Sequence, residues 1–228
     1  MKLVLLPGLD GTGLLFKEFL SFYEGESIVI ALPIDSQQDY KSLANSIKNK
    51  LPQDNFILLA ESFSGGLVPH LLQLSDHHIK GLIFVASFLN TPNKALLTLA
   101  STLPLIKFAT LPTATYVHRR LFLGMHASPY LVSKFIEVIK SVPEAVLKKR
   151  MKSILELKNI RMTTSIPTAY IQATDDKLVN TGNWNDFLKI FTNIKLYRIE
   201  GPHFILQSKP FESAKTVSEI IMHLTRAC

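Results

Sequence analysis

Six short apolar runs, each bounded by turn residues, constrain the fold of this chain more than any other feature of its sequence. They are rich in Val, Ile, Leu and Phe and lack polar alternation: Leu3–Leu6, Ile28–Leu32, Phe56–Ala60, Gly81–Ala86, Ala169–Ala173 and Lys195–Ile199. Such runs are typical of strands that are covered on both faces of a sheet. Helical patterns lie between several of them, at Tyr40–Leu51, Leu67–Leu74 and Trp184–Phe191. This alternation predicts an α/β fold with a mainly parallel sheet of about six strands and helices on both faces.

Residues 90–166 interrupt the alternation and are called the insertion below. This segment has amphipathic helical patterns but no convincing strand, and it contains five prolines, Pro92, Pro104, Pro112, Pro129 and Pro143. It lies between the fourth and fifth predicted strands. We therefore expect a helical lid at residues 90–166, inserted into a core formed by residues 1–89 and 167–228.

The insertion also carries the positive charge of the protein. It holds 12 of the 25 Lys and Arg residues but only three of the 18 acidic residues, while the whole chain has a formal net charge of +7. Its densest basic points are Arg119, Arg120, Lys148, Lys149 and Arg150. Two explanations stay open, a solvated helix surface that keeps a hydrophobic protein soluble and a docking surface for an acidic partner. The basic residues form no recognisable nucleic-acid module, so we expect no nucleic-acid partner.

Cysteine content and the apolar segments bear on the location of the protein. Cys228 is the only cysteine, and one thiol cannot form an intramolecular disulfide, which suits a reducing compartment. The apolar run at Leu3–Leu6 is too short for the core of a signal peptide. No stretch approaches the ~20 apolar residues of a membrane span. We expect a cytoplasmic protein without a membrane span.

The segment ILLAESFSGGL, residues 57–67, has the composition of a strand that turns sharply into a helix. A nucleophile elbow places a serine at the apex of such a turn and needs small residues two positions before and after it. Ser62 and Ser64 both meet this requirement. Because the predicted strand ends two residues before Ser62, the phase favours Ser62, and Ser64 is the alternative. Taken alone, the segment is equally compatible with a turn that has no chemistry.

Later strands are followed by the side chains that a serine nucleophile needs, a base and a carboxylate that orients it. The fifth run is followed by Asp175 and Asp176, and the sixth by His203. The other six histidines lie in helical patterns or in the insertion, where a surface or packing role is more common.

The glycine-rich loop after the first run, residues 7–13, offers backbone N–H groups. It lacks the Lys-Ser/Thr pair of a phosphate-binding P-loop and the spacing of the dinucleotide fingerprint. As an oxyanion loop it would supply the N–H of Leu9, paired with the N–H of Phe63.

Taken in chain order, these segments resemble the motifs of the α/β-hydrolase family. LLPGLDGTG resembles the His-Gly oxyanion loop, with Pro7 where histidine is usual, and AESFSGG resembles the Gly-x-Ser-x-Gly elbow. GPHF resembles the Gly-His pattern, and ATDDKLVN is similar to the acid loop Gly-x-x-Asp-x-x-Val-Pro, which places the acid at Asp176. The resemblance implies a catalytic triad of Ser62, His203 and Asp176 and an oxyanion hole of Leu9 and Phe63. The implied reaction needs neither a cofactor nor a metal.

Within this family, a small hydrolase with a helical lid before the acid strand resembles the pimeloyl-[acyl-carrier protein] methyl ester esterases of biotin synthesis. Those enzymes hold an acidic carrier protein with basic lid residues, so the resemblance implies an acyl ester presented by an acyl carrier protein on the basic insertion. The apolar residues of the insertion suit an aliphatic acyl chain: Leu96, Leu97, Leu99, Leu103, Leu105, Ile106, Phe108, Leu121 and Phe122.

Two alternatives stay open. A thioesterase or a lipase-like hydrolase uses the same machinery, and the fold does not choose among them. A non-catalytic binding module on a hydrolase fold is favoured by the missing elbow glycines and by Pro7 in the oxyanion loop.

Overall fold

One parallel sheet of six strands forms the centre of the molecule in the computed structural model, which describes residues 1–75, 78–104, 106, 111, 114–158 and 161–226. Cys228, Leu105 and Phe108 lie outside the described residues. The strands are β1 (Lys2–Leu6), β2 (Ser27–Val29), β3 (Phe56–Glu61), β4 (Ile79–Val85), β5 (Thr168–Ala173) and β6 (Ile194–Ile199). They are arranged in the order β2-β1-β3-β4-β5-β6, and every neighbouring pair is parallel. The predicted α/β fold is therefore confirmed.

The second strand departs most from its predicted extent, because it ends at Val29 rather than at Leu32. The N–H of Ile30 still donates to the carbonyl of Leu5 in β1 at 3.0 Å, and the backbone then reaches the loop that follows β1. The N–H of Leu32 donates to the carbonyl of Gly11 at 2.8 Å, and Pro33 has no N–H with which to continue a ladder. The end of the predicted strand thus supports the glycine-rich loop instead of extending the sheet.

Helices cover both faces of the sheet. In chain order they are α1 (Lys17–Phe22), α2 (Tyr40–Ile47), α3 (Val68–Ser75), α4 (Lys94–Thr102), α5 (Ala114–His118), α6 (Pro129–Ser141), α7 (Glu144–Leu155), α8 (Trp184–Leu188), α9 (Ile205–Ser208) and α10 (Pro210–Arg226). Short 3₁₀ turns occur at Leu14–Phe16, Lys48–Lys50, Ser62–Leu67 and Thr181–Asn183, and a π-helical turn at Arg119–Leu123. Within the described part of the chain, none of these helices has the length and apolarity needed to cross a membrane.

Successive strand residues point into two separate apolar cores, one on each face of the sheet. In β1, Val4 packs into the core that is covered by α2, α3 and α8, whereas Leu3 and Leu5 pack into the core covered by α1 and α10. All residues of β3 and β5 are buried. Burial on both faces explains why the strand sequences show no polar alternation.

Where the structure describes it, the insertion consists of helices joined by turns and loops, with an isolated bridge between Thr164 and Phe191. Two hydrogen bonds fix the end of α7 to the rest of the molecule. The hydroxyl of Ser153 donates to the carbonyl of Gln38 at 2.9 Å, and the hydroxyl of Thr91 donates to the carbonyl of Ile154 at 2.8 Å. The bond to Gln38 anchors this part of the insertion on the core, and the bond from Thr91 joins α7 to the start of the insertion.

Candidate active site

Ser62 lies at the apex of the turn between β3 and the 3₁₀ turn at Ser62–Leu67. Its backbone is in the left-handed region, with φ of 47°, which is uncommon for a residue other than glycine and is typical of a nucleophile elbow. The hydroxyl of Ser87 donates to the carbonyl of Ser62 at 2.8 Å and holds the turn. A Cβ atom at Gly65 would overlap the Ser87 hydroxyl. A larger residue at position 65 would therefore displace the hydroxyl that holds the turn.

The two candidate nucleophiles have different surroundings. The Oγ of Ser62 lies 2.8 Å from Nε2 of His203. Ser64 is completely buried, and its hydroxyl donates to the carbonyl of Pro7. Ser64 thus ties the elbow to the end of β1, and the arrangement supports Ser62 as the nucleophile.

His203 and Asp176 lie on the loops that follow β6 and β5. The Nδ1 of His203 is 2.7 Å from Oδ2 of Asp176. The other carboxylate oxygen of Asp176 accepts hydrogen bonds from the backbone N–H groups of Leu178 and Val179, at 2.8 and 2.9 Å. A proton on Nδ1 would leave Nε2 free to accept the Ser62 proton.

The neighbouring carboxylate is placed differently. Asp175 is exposed, and its backbone N–H donates to the carbonyl of Gly201 at 2.8 Å. The structure therefore brings together Ser62, His203 and Asp176, while their catalytic roles stay predictions.

Opposing effects act on the pKa of His203. Burial lowers this pKa, but the negative charge of Asp176, its hydrogen bond to the ring and the charge of Glu61 together raise it above the ordinary value of 6.5. The imidazolium form is therefore stabilised, as a base requires once it has taken the serine proton.

The loop after β1 lies against the elbow. A Cβ atom at Gly8 would be 3.8 Å from the Cβ of Ser62. Among the described residues, no group accepts a hydrogen bond from the backbone N–H of Leu9. Phe63 directly follows Ser62, and its buried ring stacks on Tyr40 with the ring centroids 4.8 Å apart. Phe63 is therefore bonded to Ser62, and the loop that carries Leu9 contacts the elbow at Gly8.

Sequence reasoning missed Glu61, a buried carboxylate directly before Ser62. Its Oε1 accepts a hydrogen bond from Nε2 of Gln207 at 2.9 Å, and it is 3% exposed. Burial raises the pKa of Glu61 to about 7, with Asp10 adding to the rise and Gln207 and His203 opposing it. The feature that could have identified Glu61 is its position at the end of a completely buried strand.

We expect Glu61→Gln to move the acid limb of the pH profile of kcat/KM to lower pH. Glu61 raises the pKa of His203, so removing its charge destabilises the imidazolium and lets the base become neutral at lower pH. Glu200→Gln makes the same charge change at an exposed site and should shift the limb less. Equal shifts in the two variants, or a shift to higher pH in Glu61→Gln, would contradict this coupling.

The structure contradicts one predicted docking residue. Arg150 is completely buried, and its guanidinium donates to the backbone carbonyls of Leu9 and Asp10. It cannot contact a partner protein, because its position on α7 places it on the same inward face as Val146 and Ile154.

The other four basic residues are accessible to different degrees. Arg120 and Lys149 are exposed, whereas Arg119 and Lys148 are half-buried. Lys148 forms an ion pair with Glu144 at 2.9 Å. Arg120 and Lys149 are thus the most accessible of the predicted docking residues.

Cavities lie beside the described part of the sheet, and two of them are relevant to the site. One of about 520 Å³ is lined by residues that include Gly66, Leu89 and Ile190. The other, of about 740 Å³, is lined by residues that include Arg119, Arg120, Asp175 and Pro202. The larger cavity places both arginines beside the loops that carry Asp176 and His203. The described residues contain no group of three or more His, Cys, Asp or Glu side chains that could hold a metal ion.

The fold has many counterparts among solved structures. An esterase from Exiguobacterium antarcticum matches with a TM-score of 0.77 and 15% identity, covering 96% of this chain and 91% of that chain. A bromoperoxidase from Bacillus anthracis matches with a TM-score of 0.77 and 14% identity, covering 97% and 91%. MenH from S. aureus matches with a TM-score of 0.78 and 14% identity, covering 99% and 94%. This chain therefore has the α/β-hydrolase fold, as predicted.

No protein-family model matches the sequence, and no curated protein sequence is significantly similar to it.

Proposed function

We propose that this protein is a serine hydrolase that cleaves carboxylic esters with an aliphatic acyl group. The observation that carries the proposal is the pair of hydrogen bonds that links Ser62 to His203 at 2.8 Å and His203 to Asp176 at 2.7 Å. Two further observations support it, the positive φ of Ser62 and the overall similarity to structures that are described as esterases.

In the proposed reaction, Nε2 of His203 takes the hydroxyl proton of Ser62 while Oγ attacks the ester carbonyl carbon. The N–H groups of Leu9 and Phe63 stabilise the negative oxygen of the tetrahedral intermediate. His203 then gives its proton to the departing alcohol, and an acyl-enzyme ester remains on Ser62. Water, activated by His203, hydrolyses this ester to release the carboxylic acid and regenerate the serine.

The apolar surroundings of His203 favour an aliphatic acyl group. Phe204 contacts the imidazole edge-to-face, with ring centroids 5.4 Å apart. Phe204 belongs to an apolar cluster with Phe135 and Leu123 of the insertion, and its N–H donates to the carbonyl of Phe122 at 3.1 Å. An apolar environment beside the reacting groups suits a hydrocarbon chain.

Turnover of a series of p-nitrophenyl esters tests this proposal directly. We expect hydrolysis that increases with acyl chain length up to the capacity of the site. A correctly folded protein that neither hydrolyses any ester nor reacts with a fluorophosphonate would instead be a binding module on a hydrolase fold.

A finer proposal concerns the form in which the ester arrives. We propose that the substrate is an acyl ester carried by an acidic acyl carrier protein, with the pimeloyl-carrier methyl ester as the first to examine. The excess of basic residues in the insertion and the position of Arg120 beside the Asp176 and His203 loops support it. Opposite charge on the two proteins would increase their rate of association.

Charge reversal at the exposed residues Arg120 and Lys149 should reduce kcat/KM on a carrier-bound ester by about tenfold or more. The reduction arises from slower association, so added salt should also lower the wild-type value. Lys215→Glu, an exposed position on α10 outside the insertion, is the matched control. A small neutral ester should respond to none of these changes. If the carrier-bound and the small ester respond alike, the charge does not serve docking.

A further inference from the structure

We infer that Arg150 is a positioning residue of the oxyanion hole. Its side chain extends from the insertion and holds in place the loop that carries the Leu9 amide. This inference rests on the proposed function, because it gives Arg150 a role in the same reaction. It replaces the surface role that the sequence predicted for this residue.

The guanidinium of Arg150 donates hydrogen bonds to backbone carbonyls of the loop. One nitrogen, Nη1, donates to the carbonyl of Leu9 at 2.9 Å and to the carbonyl of Asp10 at 2.7 Å. These two carbonyls directly follow the amide that is predicted to bind the oxyanion. The Gly11 N–H, which shares a peptide plane with the Asp10 carbonyl, donates to the carbonyl of Gly8 at 3.0 Å. The Gly8 carbonyl shares a plane with the Leu9 N–H, so holding the loop at Asp10 restricts the rotation that would turn this N–H away from Ser62.

The remaining donors of Arg150 are held by a second segment. Its Nε donates to Oε1 of Gln38 at 2.8 Å, and Nη2 donates to the carbonyl of Pro33 at 3.3 Å. Gln38 is buried, and its Nε2 donates to the carbonyls of Pro33 and Ser36 at 3.1 and 2.7 Å. The planar guanidinium is thus fixed on both sides and provides a rigid support for the loop.

Glycine at position 11 lets the guanidinium lie against the loop. Gly11 has φ of +71°, and a Cβ atom there would lie 2.7 Å from Cζ of Arg150. Its carbonyl accepts the hydrogen bond from Leu32 at 2.8 Å. The loop is therefore shaped around the arginine and is supported by the end of the segment after β2.

Attaching a helix through a buried arginine has a large cost in desolvation free energy. Burial lowers the pKa of Arg150 to about 10, with Asp10 opposing the fall, so the group is charged at neutral pH. The free-energy cost of desolvating an ion is about as large as the gain from its hydrogen bonds. Ser153, one turn later on α7, already attaches the helix to Gln38 with a neutral hydroxyl. The guanidinium of Arg150 differs from the Ser153 hydroxyl because it also fixes the loop beside Ser62.

The test compares Arg150→Lys with Ser153→Ala. Lysine keeps the charge but not the forked set of donors, whereas Ser153→Ala removes a bond from the same helix that does not reach the loop. For Arg150→Lys we expect kcat per active site to fall by about 10²-fold, near the loss of one oxyanion donor, with little change in KM. A trifluoromethyl ketone transition-state analogue should lose affinity in parallel with kcat/KM. Ser153→Ala should retain the wild-type kcat per active site.

Active sites are counted by the final stoichiometry of fluorophosphonate labelling, so that unfolded protein does not lower the measured kcat. A wild-type kcat per labelled site in Arg150→Lys, or an equal loss in Ser153→Ala, would overturn the inference and leave the proposed function intact. An inactive, unlabelled wild-type protein would overturn the proposed function, and the inference with it.

If Arg150→Lys does not fold, Gln38→Ala is tested in its place. This variant removes the hydrogen bond that supports Nε and leaves the arginine in place. A fall of threefold or more per labelled site would then support the inference, and any smaller change would overturn it.

Discussion

Ser62→Ala is expected to abolish ester hydrolysis, with a fall in kcat of ~10⁶, while the fold is retained. The hydroxyl of Ser62 is the group that faces Nε2 of His203 at 2.8 Å, and no acyl-enzyme can form without it. The measurement is kcat on the best p-nitrophenyl ester, with circular dichroism and thermal unfolding to show that the variant is folded.

Ser64→Ala is the matched control, since it removes the same atom two residues further along the same turn. It should retain a substantial fraction of the activity, because Ser64 is buried and donates to the carbonyl of Pro7. Loss of that hydrogen bond should lower the free energy of unfolding by about 1 kcal/mol. An inactive but folded Ser64→Ala variant, together with an active Ser62→Ala variant, would show that the nucleophile is assigned to the wrong serine.

Asp176→Asn is expected to lower kcat by ~10⁴, the cost of an incorrect histidine tautomer. The backbone N–H groups of Leu178 and Val179 both donate to Oδ1 of Asp176. An asparagine would keep its carbonyl oxygen on these donors and turn its NH₂ group toward Nδ1 of His203. The ring would then carry its proton on Nε2, where it could no longer accept the proton of Ser62.

Asp175→Asn provides the comparison, because the side chain of Asp175 is exposed. We expect it to remain close to wild-type activity, as is usual for a surface substitution. The pH profile of kcat/KM should be measured for both variants. Equal and mild losses would mean that another carboxylate orients His203.

That the apolar runs form a mainly parallel sheet was predictable, because strands buried on both faces are rich in apolar residues and lack polar alternation. The six apolar runs each form a strand. The end of β2 was not predictable, since it depends on a tertiary contact, the hydrogen bond from Leu32 to Gly11. An apolar run shows that a segment is buried, but it does not show which backbone its N–H groups will meet.

The cluster of basic residues around Arg150 did not predict that this side chain is buried. The sequence LKKR at residues 147–150 suggested one basic surface, yet Lys149 is exposed and Arg150 is buried. Helical periodicity was the better signal, because Arg150 lies four residues after Val146 and four before Ile154, both of which are buried. The four acceptors that make its burial tolerable come from distant segments and could not be deduced from spacing.

Fluorophosphonate labelling followed by tandem mass spectrometry tests most directly the central claim that Ser62 is an activated nucleophile. One adduct per chain is predicted, and fragmentation should place it on Ser62 rather than on Ser64 in the peptide that contains both. Labelling should be lost in Ser62→Ala and retained in Ser64→Ala. An adduct on any other residue, or a folded wild-type protein that takes up no probe, would contradict the claim.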